Sequence, residues 1–323
     1  MPATPAQSPP GTSPGTPHTP ARSPLAVARA VAADIKIAHS VFALPFALLA
    51  VFLTRTDADT AGPLAAPLTV KLALVVACMV SARTWAMLVN RLADRAIDAA
   101  NPRTARRALP GGRLTPRQAL AAAALSALAF VACAALFGPL FGNWWPAILA
   151  PLVLAWIAFY SFTKRFTALC HLFLGGALAA SPLCAAIAIN PASLAHTPAL
   201  WLLAAMVLCW VAGFDIIYAL QDLDFDRSAG LSSIPAALGP RRAAYASRAL
   251  HLAAAACLIG AWQTDPRLGP IFGTAVAATL ALLITEHVVL VRKGLAGLDL
   301  AFFTLNGIVS CLLGAAGIAD LLV

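Results

Sequence analysis

The feature that most constrains this chain is a run of nine apolar stretches, each close to the roughly 20 residues an α-helix needs to cross the hydrocarbon of a bilayer. They lie at about 37–54, 67–89, 118–137, 144–163, 168–189, 200–220, 243–262, 271–291 and 300–322. With 61% of its 323 residues hydrophobic and 11% charged, and a mean hydropathy of +0.83, a water-soluble domain could not cover such a core. The fold class expected is therefore all-α: a polytopic membrane bundle of about nine transmembrane helices. Residues 1–24 hold eight prolines among Thr, Ser and Gly and read as a disordered, Pro-rich cytoplasmic tail. Residues 25–323 then form one transmembrane domain.

A net charge of +9 could suggest nucleic acid, but the distribution of the charge says otherwise. Eighteen Lys and Arg residues fall on alternate connections, against Arg55, Lys71 and Arg267 on the other side. This asymmetry places the N-terminus in the cytoplasm and, with nine spans, Val323 outside, as expected for a multi-pass protein of the inner (cytoplasmic) membrane. The seven cysteines lie inside apolar runs with no CxxC, so neither disulfides nor a zinc site is expected. Trp144 and Trp145 at one end of the fourth span and Tyr160 near the other suit aromatic anchoring at the two interfaces.

Dense charge follows the second span, in WAMLVNRLADRAIDAANPRTARRALP, Trp85 to Pro110. Asn90, Asp94 and Asp98 are spaced by four, which puts three oxygen-bearing side chains on one helical face. A second stretch, YALQDLDFD from Tyr218 to Asp226, repeats that spacing with Asp222 and Asp226. Both close an apolar helix on the same membrane face, so they are expected to form one site. Such a stack can hold a divalent cation, and Mg²⁺ usually completes its octahedron with substrate phosphates, so a phosphorylated ligand is implied. Arg103, Arg106, Arg107, Lys164 and Arg165 on that side can neutralise it.

Charges within the spans also need partners. Arg83 lies seven residues before Asn90, on the same face but deeper; Asp215 stands in the same relation to Asp222 and could pair with Arg83. Glu286 has no assignable role, and His39 and His171 near the ends of the first and fifth spans are weaker candidates for touching substrate. The small-residue run GGALAASP, 175–182, suits close helix packing or a gap between helices.

These blocks resemble a known family. NRLADRAIDAANPRTARRALP is similar to the first aspartate-rich motif of the UbiA membrane prenyltransferases, and YALQDLDFDRSAGLSSIPAALG to the second. IKIAHSVFALPFAL and YSFTKRFT resemble members that prenylate 4-hydroxybenzoate or a related quinone precursor. The resemblance runs from about Val31 to Val323, with one departure: Arg91 stands where many members carry Asp. The form with NPRTA downstream resembles a subgroup assigned to menaquinone as well as ubiquinone synthesis.

The resemblance implies Mg²⁺-dependent transfer of a polyprenyl group from its diphosphate to a ring carbon of an aromatic acid. The acceptor would be 4-hydroxybenzoate, or alternatively 1,4-dihydroxy-6-naphthoate. The metal ligands would be Asn90, Asp94, Asp98, Asp222 and Asp226; the diphosphate contacts Arg103, Arg107 and Lys164. Arg83, with Asp215 as a further contact, would meet the aromatic acid; Asp222 or Asp224 would accept the phenolic proton, with Tyr218 orienting Asp222. A membrane carrier is the competing class, but a carrier places paired polar breaks near mid-membrane, whereas here the charge lies at one face.

Overall fold

The computed structural model describes residues 23–35, 42–56, 66–294, 298 and 304–323. The Pro-rich tail up to residue 22, Lys36 and His39 lie outside them. The helices are α1 (Pro24–Ile35), α2 (Leu44–Thr54), α3 (Ala66–Ala93), α4 (Arg95–Ala100), α5 (Pro116–Ala135), α6 (Phe137–Phe141), α7 (Trp145–Thr163) and α8 (Cys170–Ile189). They continue with α9 (Ser193–His196), α10 (Pro198–Ala219), α11 (Leu223–Ser228), α12 (Ile234–Leu238), α13 (Pro240–Thr264), α14 (Pro270–Lys293) and α15 (Asn306–Asp320). Seven stretches are long and apolar enough to cross a membrane, and α2 and α15 are shorter apolar helices at the positions of the first and ninth expected spans. The chain is a multi-pass, all-helical membrane protein.

Helix α10 is the hub. It packs on α8 and α13, and the circuit closes through α14, α15 and α2, while α3, α5 and α7 pack together on the far side of α8. The reason is compositional: PALWLLAAMVLCWVAGFDIIYA is apolar on all faces, which suits a helix surrounded by others. Trp210 at its centre is fully buried against Phe42, Phe46 and Phe214. Its indole N–H donates to Asn306 Oδ1 at 2.6 Å. Asn306 in turn faces the buried Glu286 at 3.5 Å, so Glu286 takes part in a polar link between α10, α14 and α15.

Local signals set the helix starts. Thr115 accepts from Gln118 N while Gln118 Oε1 accepts from Thr115 N, a capping box with Pro116 in the first turn of α5. Ser233 caps α12 by accepting from Ala236 N. Trp144 and Trp145 are exposed, as interfacial anchors are. Tyr160 is not an anchor: it turns inward to line an apolar cavity, because α7 presents that face to α3.

That cavity, of about 200 Å³, lies among α2, α3, α5, α7 and α8. The small-residue run of α8 serves it and the packing together. Ala180 and Ser181 line the cavity, while a Cβ on Gly175 would collide with the Leu208 carbonyl oxygen of α10. Gly175→Ala is therefore expected to cost about 1–3 kcal/mol, since a backbone oxygen cannot move aside. Gly176→Ala, whose Cβ would stand 3.1 Å from the Trp156 side chain, should cost less. Thermal melting in detergent checks the ranking, and equal midpoints would show that α8 and α10 slide apart at little cost.

Candidate active site

The two acidic motifs do not lie on unbroken helices. α3 ends at Ala93, Asp94 forms a turn with φ −91° and ψ 9°, and α4 resumes the helix. At the second motif α10 ends at Ala219, a 3₁₀ turn covers Leu220–Asp222, and Asp222, with φ −101° and ψ 6°, leads into α11. Each helix thus bends at the first aspartate of its motif in nearly the same conformation. The spacing of four survives the first break because Asp94 N still donates to Asn90 O (2.9 Å) and Asp98 N to Asp94 O (2.7 Å). Asp98, Asp222 and Asp226 are buried, whereas Asp224, two residues past the second break, is exposed.

Each of the four aspartates meets one cation. Arg165 reaches Asp94 at 2.8 Å, Arg107 donates to both oxygens of Asp98 at 2.8 and 2.9 Å, and Arg103 holds Asp222 bidentately. Lys164 Nζ is 2.7 Å from Asp226 Oδ1. It is close enough for charge pairing yet not aligned as a hydrogen-bond donor, so this buried oxygen lacks a hydrogen bond. The other Asp226 oxygen accepts from Ser233 Oγ at 3.1 Å. Burial pushes the Asp94 carboxyl above its usual range, against the opposing pull of Arg165. At Arg103 burial works against the charge, but the Asp222 bonds outweigh it and hold the guanidinium above its ordinary value.

The motifs meet through the loop after α4. Asn101 Nδ2 and Arg103 both donate to Asp222, and Asn101 Oδ1 accepts from Arg103 N. Tyr218 stands beside Arg103, whose Nη1 is 3.4 Å from the Tyr218 hydroxyl and whose Nε donates to Asp222. Asn90 donates to Asp94 Oδ2 at 3.0 Å and accepts from Arg91 at 2.9 Å.

Arg83 lines the cavity beside Met87 and Tyr160, and its Nη2 donates to the Ile35 carbonyl at 3.3 Å. Asp215 does not pair with Arg83; it faces His171 Nδ1 at 2.7 Å, and His171 Nε2 accepts from Ile234 N at 3.3 Å. This places His171 between α8, α10 and α12, as a brace for the segment that carries Ser233. Arg165, expected beside Lys164 as a cation of the site, is brought to Asp94, whereas Asn101, Ser233 and Asp34 lie outside the spaced acidic motifs and basic runs; Asn101 and Asp34 pair with residues 121 and 57 positions away, so no local pattern marks them.

The ligand set is all hard oxygen, which suits Mg²⁺ better than a soft metal. Among the described residues no three carboxylate, His or Cys groups stand together as a metal cluster. The two motifs are linked instead through Asn101 and Arg103, which both donate to Asp222. One or two carboxylates per ion, completed by phosphate oxygens, is the usual mode for Mg²⁺, and the Asp226 oxygen without a hydrogen bond offers a ready ligand.

Two acidic helix breaks, joined by Asn101 and Arg103 from the loop of the first to Asp222 of the second, lie in a bundle that also encloses an apolar cavity beside α3. The UbiA prenyltransferase family model matches residues 43–308, and the chain belongs to that family. It superposes with a TM-score of 0.76 and 37% identity on the apo structure of a UbiA homologue from Aeropyrum pernix K1, over 87% of this chain and 98% of that one. A UbiA homologue from Archaeoglobus fulgidus bound to GPP and Mg²⁺ shares the fold, with a TM-score of 0.64 at 17% identity over 91% of this chain and 100% of that one. In sequence the chain is 32% identical over 196 residues to the 4-hydroxybenzoate octaprenyltransferase of Psychrobacter arcticus. That match covers 59% of this chain and 61% of the relative's length.

Asp222→Ala removes the acceptor that ties the loop after α4 to α10. Hydrogen bonds to a charged group are worth roughly 1.5–3 kcal/mol, so losing even one should raise local opening by about 10-fold. Trypsin cleavage after Arg103, Arg106 or Arg107 should accelerate by at least that factor. An unchanged cleavage rate would show that other contacts hold the loop.

Proposed function

We propose that this protein transfers a polyprenyl group from polyprenyl diphosphate to a ring carbon of an aromatic acid, with 4-hydroxybenzoate as acceptor and Mg²⁺ as cofactor. The observation that carries the reading is the pairing of four aspartates with four cations at the end of a bundle that also contains an apolar cavity. Asp94, Asp98, Asp222 and Asp226, with Asn90, would hold Mg²⁺, which supplies positive charge to the leaving diphosphate when bound.

The chain's own residues do the rest. Arg103, Arg107 and Lys164, together with Arg165, exchange their aspartate partners for diphosphate oxygens, so the charge needed for departure is already in place around the ligand. The apolar cavity receives the prenyl tail and keeps water from the allylic cation. Arg83, on the cavity wall, faces the carboxylate of the acceptor, and Tyr160 beside it packs against the ring. The bond from the prenyl carbon to the diphosphate oxygen breaks, a carbon–carbon bond forms at the ring, and the ring gives up one proton, for which we assign Asp222 as acceptor. Asp215 acts through His171 rather than on the acceptor. The excess of Lys and Arg on the connections at the site's end supports an inner-membrane protein with a cytoplasmic active site.

The test is prenyl transfer by purified protein in detergent, with geranyl diphosphate and Mg²⁺, offering 4-hydroxybenzoate and 1,4-dihydroxy-6-naphthoate in parallel. Product with 4-hydroxybenzoate is expected, with kcat/KM falling by about 100-fold or more in Asp94→Ala and Asp222→Ala. Product with the naphthoate alone would move the protein to menaquinone synthesis. Loss of Mg²⁺-dependent diphosphate binding would remove the enzyme reading altogether.

A further inference from the structure

Helix α1 precedes the residues that match the family, yet its last turn is wired into the first motif. Asp34 is buried there, its side chain 4% exposed. Its Oδ1 accepts from Ala108 N at 2.9 Å and its Oδ2 from Arg91 Nε at 3.2 Å. Arg91 Nη1 donates onward to Asn90 Oδ1 at 2.9 Å, and Asn90 Nδ2 donates to Asp94 Oδ2 at 3.0 Å. Arg83 meets the same helix end at the Ile35 carbonyl. A single turn of α1 therefore touches the first motif and the loop that presents Arg103 and Arg107.

Docking α1 does not require a charge at this position. Val31 and Ile35 already pack with Leu88, Leu109 and Leu114, and a buried carboxylate is costly unless it is matched. The match is Arg91, whose charge stands one residue from Asn90. Arg91 also donates to Asn90, so the tether to Asp34 decides where a cation one residue from the motif is held. Arg91 is also what fixes the amide of Asn90: only with Oδ1 toward Arg91 and Nδ2 toward Asp94 are both contacts satisfied.

We propose that Asp34 is a positioning residue for the first motif: it holds the Arg91 guanidinium away from Asp94 and Asp98 and turns it so that Asn90 is fixed against Asp94. The inference rests on the reading of this motif as the metal and diphosphate site. It also accounts for an arginine beside Asn90, because the arginine is anchored by α1 rather than aimed at the ligand.

The test uses the full chain in detergent, with Mn²⁺ as the spectroscopic substitute for Mg²⁺, read by electron paramagnetic resonance with geranyl diphosphate present. Asp34→Asn keeps an acceptor for Ala108 N but sets a donor against Arg91. The Mn²⁺ concentration for half-saturation should rise about 10-fold. In Asp34→Asn/Arg91→Gln the loose cation is gone, and half-saturation should return to within about threefold of the native value. Arg91→Lys, which keeps the charge but cannot serve Asp34 and Asn90 together, should raise it about fivefold and serves if Asp34→Asn does not fold. Native half-saturation in Asp34→Asn and Arg91→Lys would overturn the assignment. So would equal weakening in the single and double Asp34 variants, because that would make Asp34 a docking residue only. Native protein that binds no Mn²⁺ with the diphosphate would fail at the catalytic reading, a result separable from both.

Discussion

Four aspartates at the end of an apolar bundle can stay charged only if each is matched, and the rest of the site follows from how that matching is done. Arg165, Arg107, Arg103 and Lys164 come from two connections, one after α4 and one after α7, so neutralising the carboxylates also draws those connections together. The same charges suit a diphosphate and its metal, since a cation that can neutralise a carboxylate can neutralise a phosphate oxygen with little rearrangement. Structure in the ligand-free protein and affinity for an anion are thus two uses of one set of pairs.

The bends at Asp94 and Asp222 explain why the aspartates face inward. A helix that ran on would carry its polar residues straight out into water along its own axis. With the helix interrupted at the first aspartate, Asp98 and Asp226 beyond the break are both buried. The matching dihedral angles at the two positions mean that the two halves of the site are made by the same local device. What differs is the closure. The first half is tied down by the loop bearing Arg103 and Arg107, the second by Ser233 and the brace through His171.

Spans, charge asymmetry and the two acidic motifs were legible in the sequence because each is a local pattern: length of apolar run, count of Lys and Arg, spacing of four. The breaks at the motifs were not, because the spacing of four is satisfied by an unbroken helix as well as by one bent at Asp94. Pairings were harder still. Asp215 with His171, Arg165 with Asp94 and Arg91 with Asp34 lie 44, 71 and 57 residues apart. The seven-residue relation of Asp215 to Asp222 suggested Arg83 as a partner for Asp215, but the packing of α8 on α10 brings His171 to it instead.

Helix α8 shows how an apolar sequence without strong signals can still specify a site. Its Gly175 face presses backbone to backbone on α10, which leaves α10 no freedom to shift relative to the second motif at its end. The face with Ala180 and Ser181 carries side chains too short to reach across to α3 and α7, so space remains there without any loss of contact on the other side. Bulk on the first face would move the aspartates, and bulk on the second would fill the cavity. The alternation of glycine and small residues along one helix therefore couples the position of the charged site to the room available for an apolar ligand.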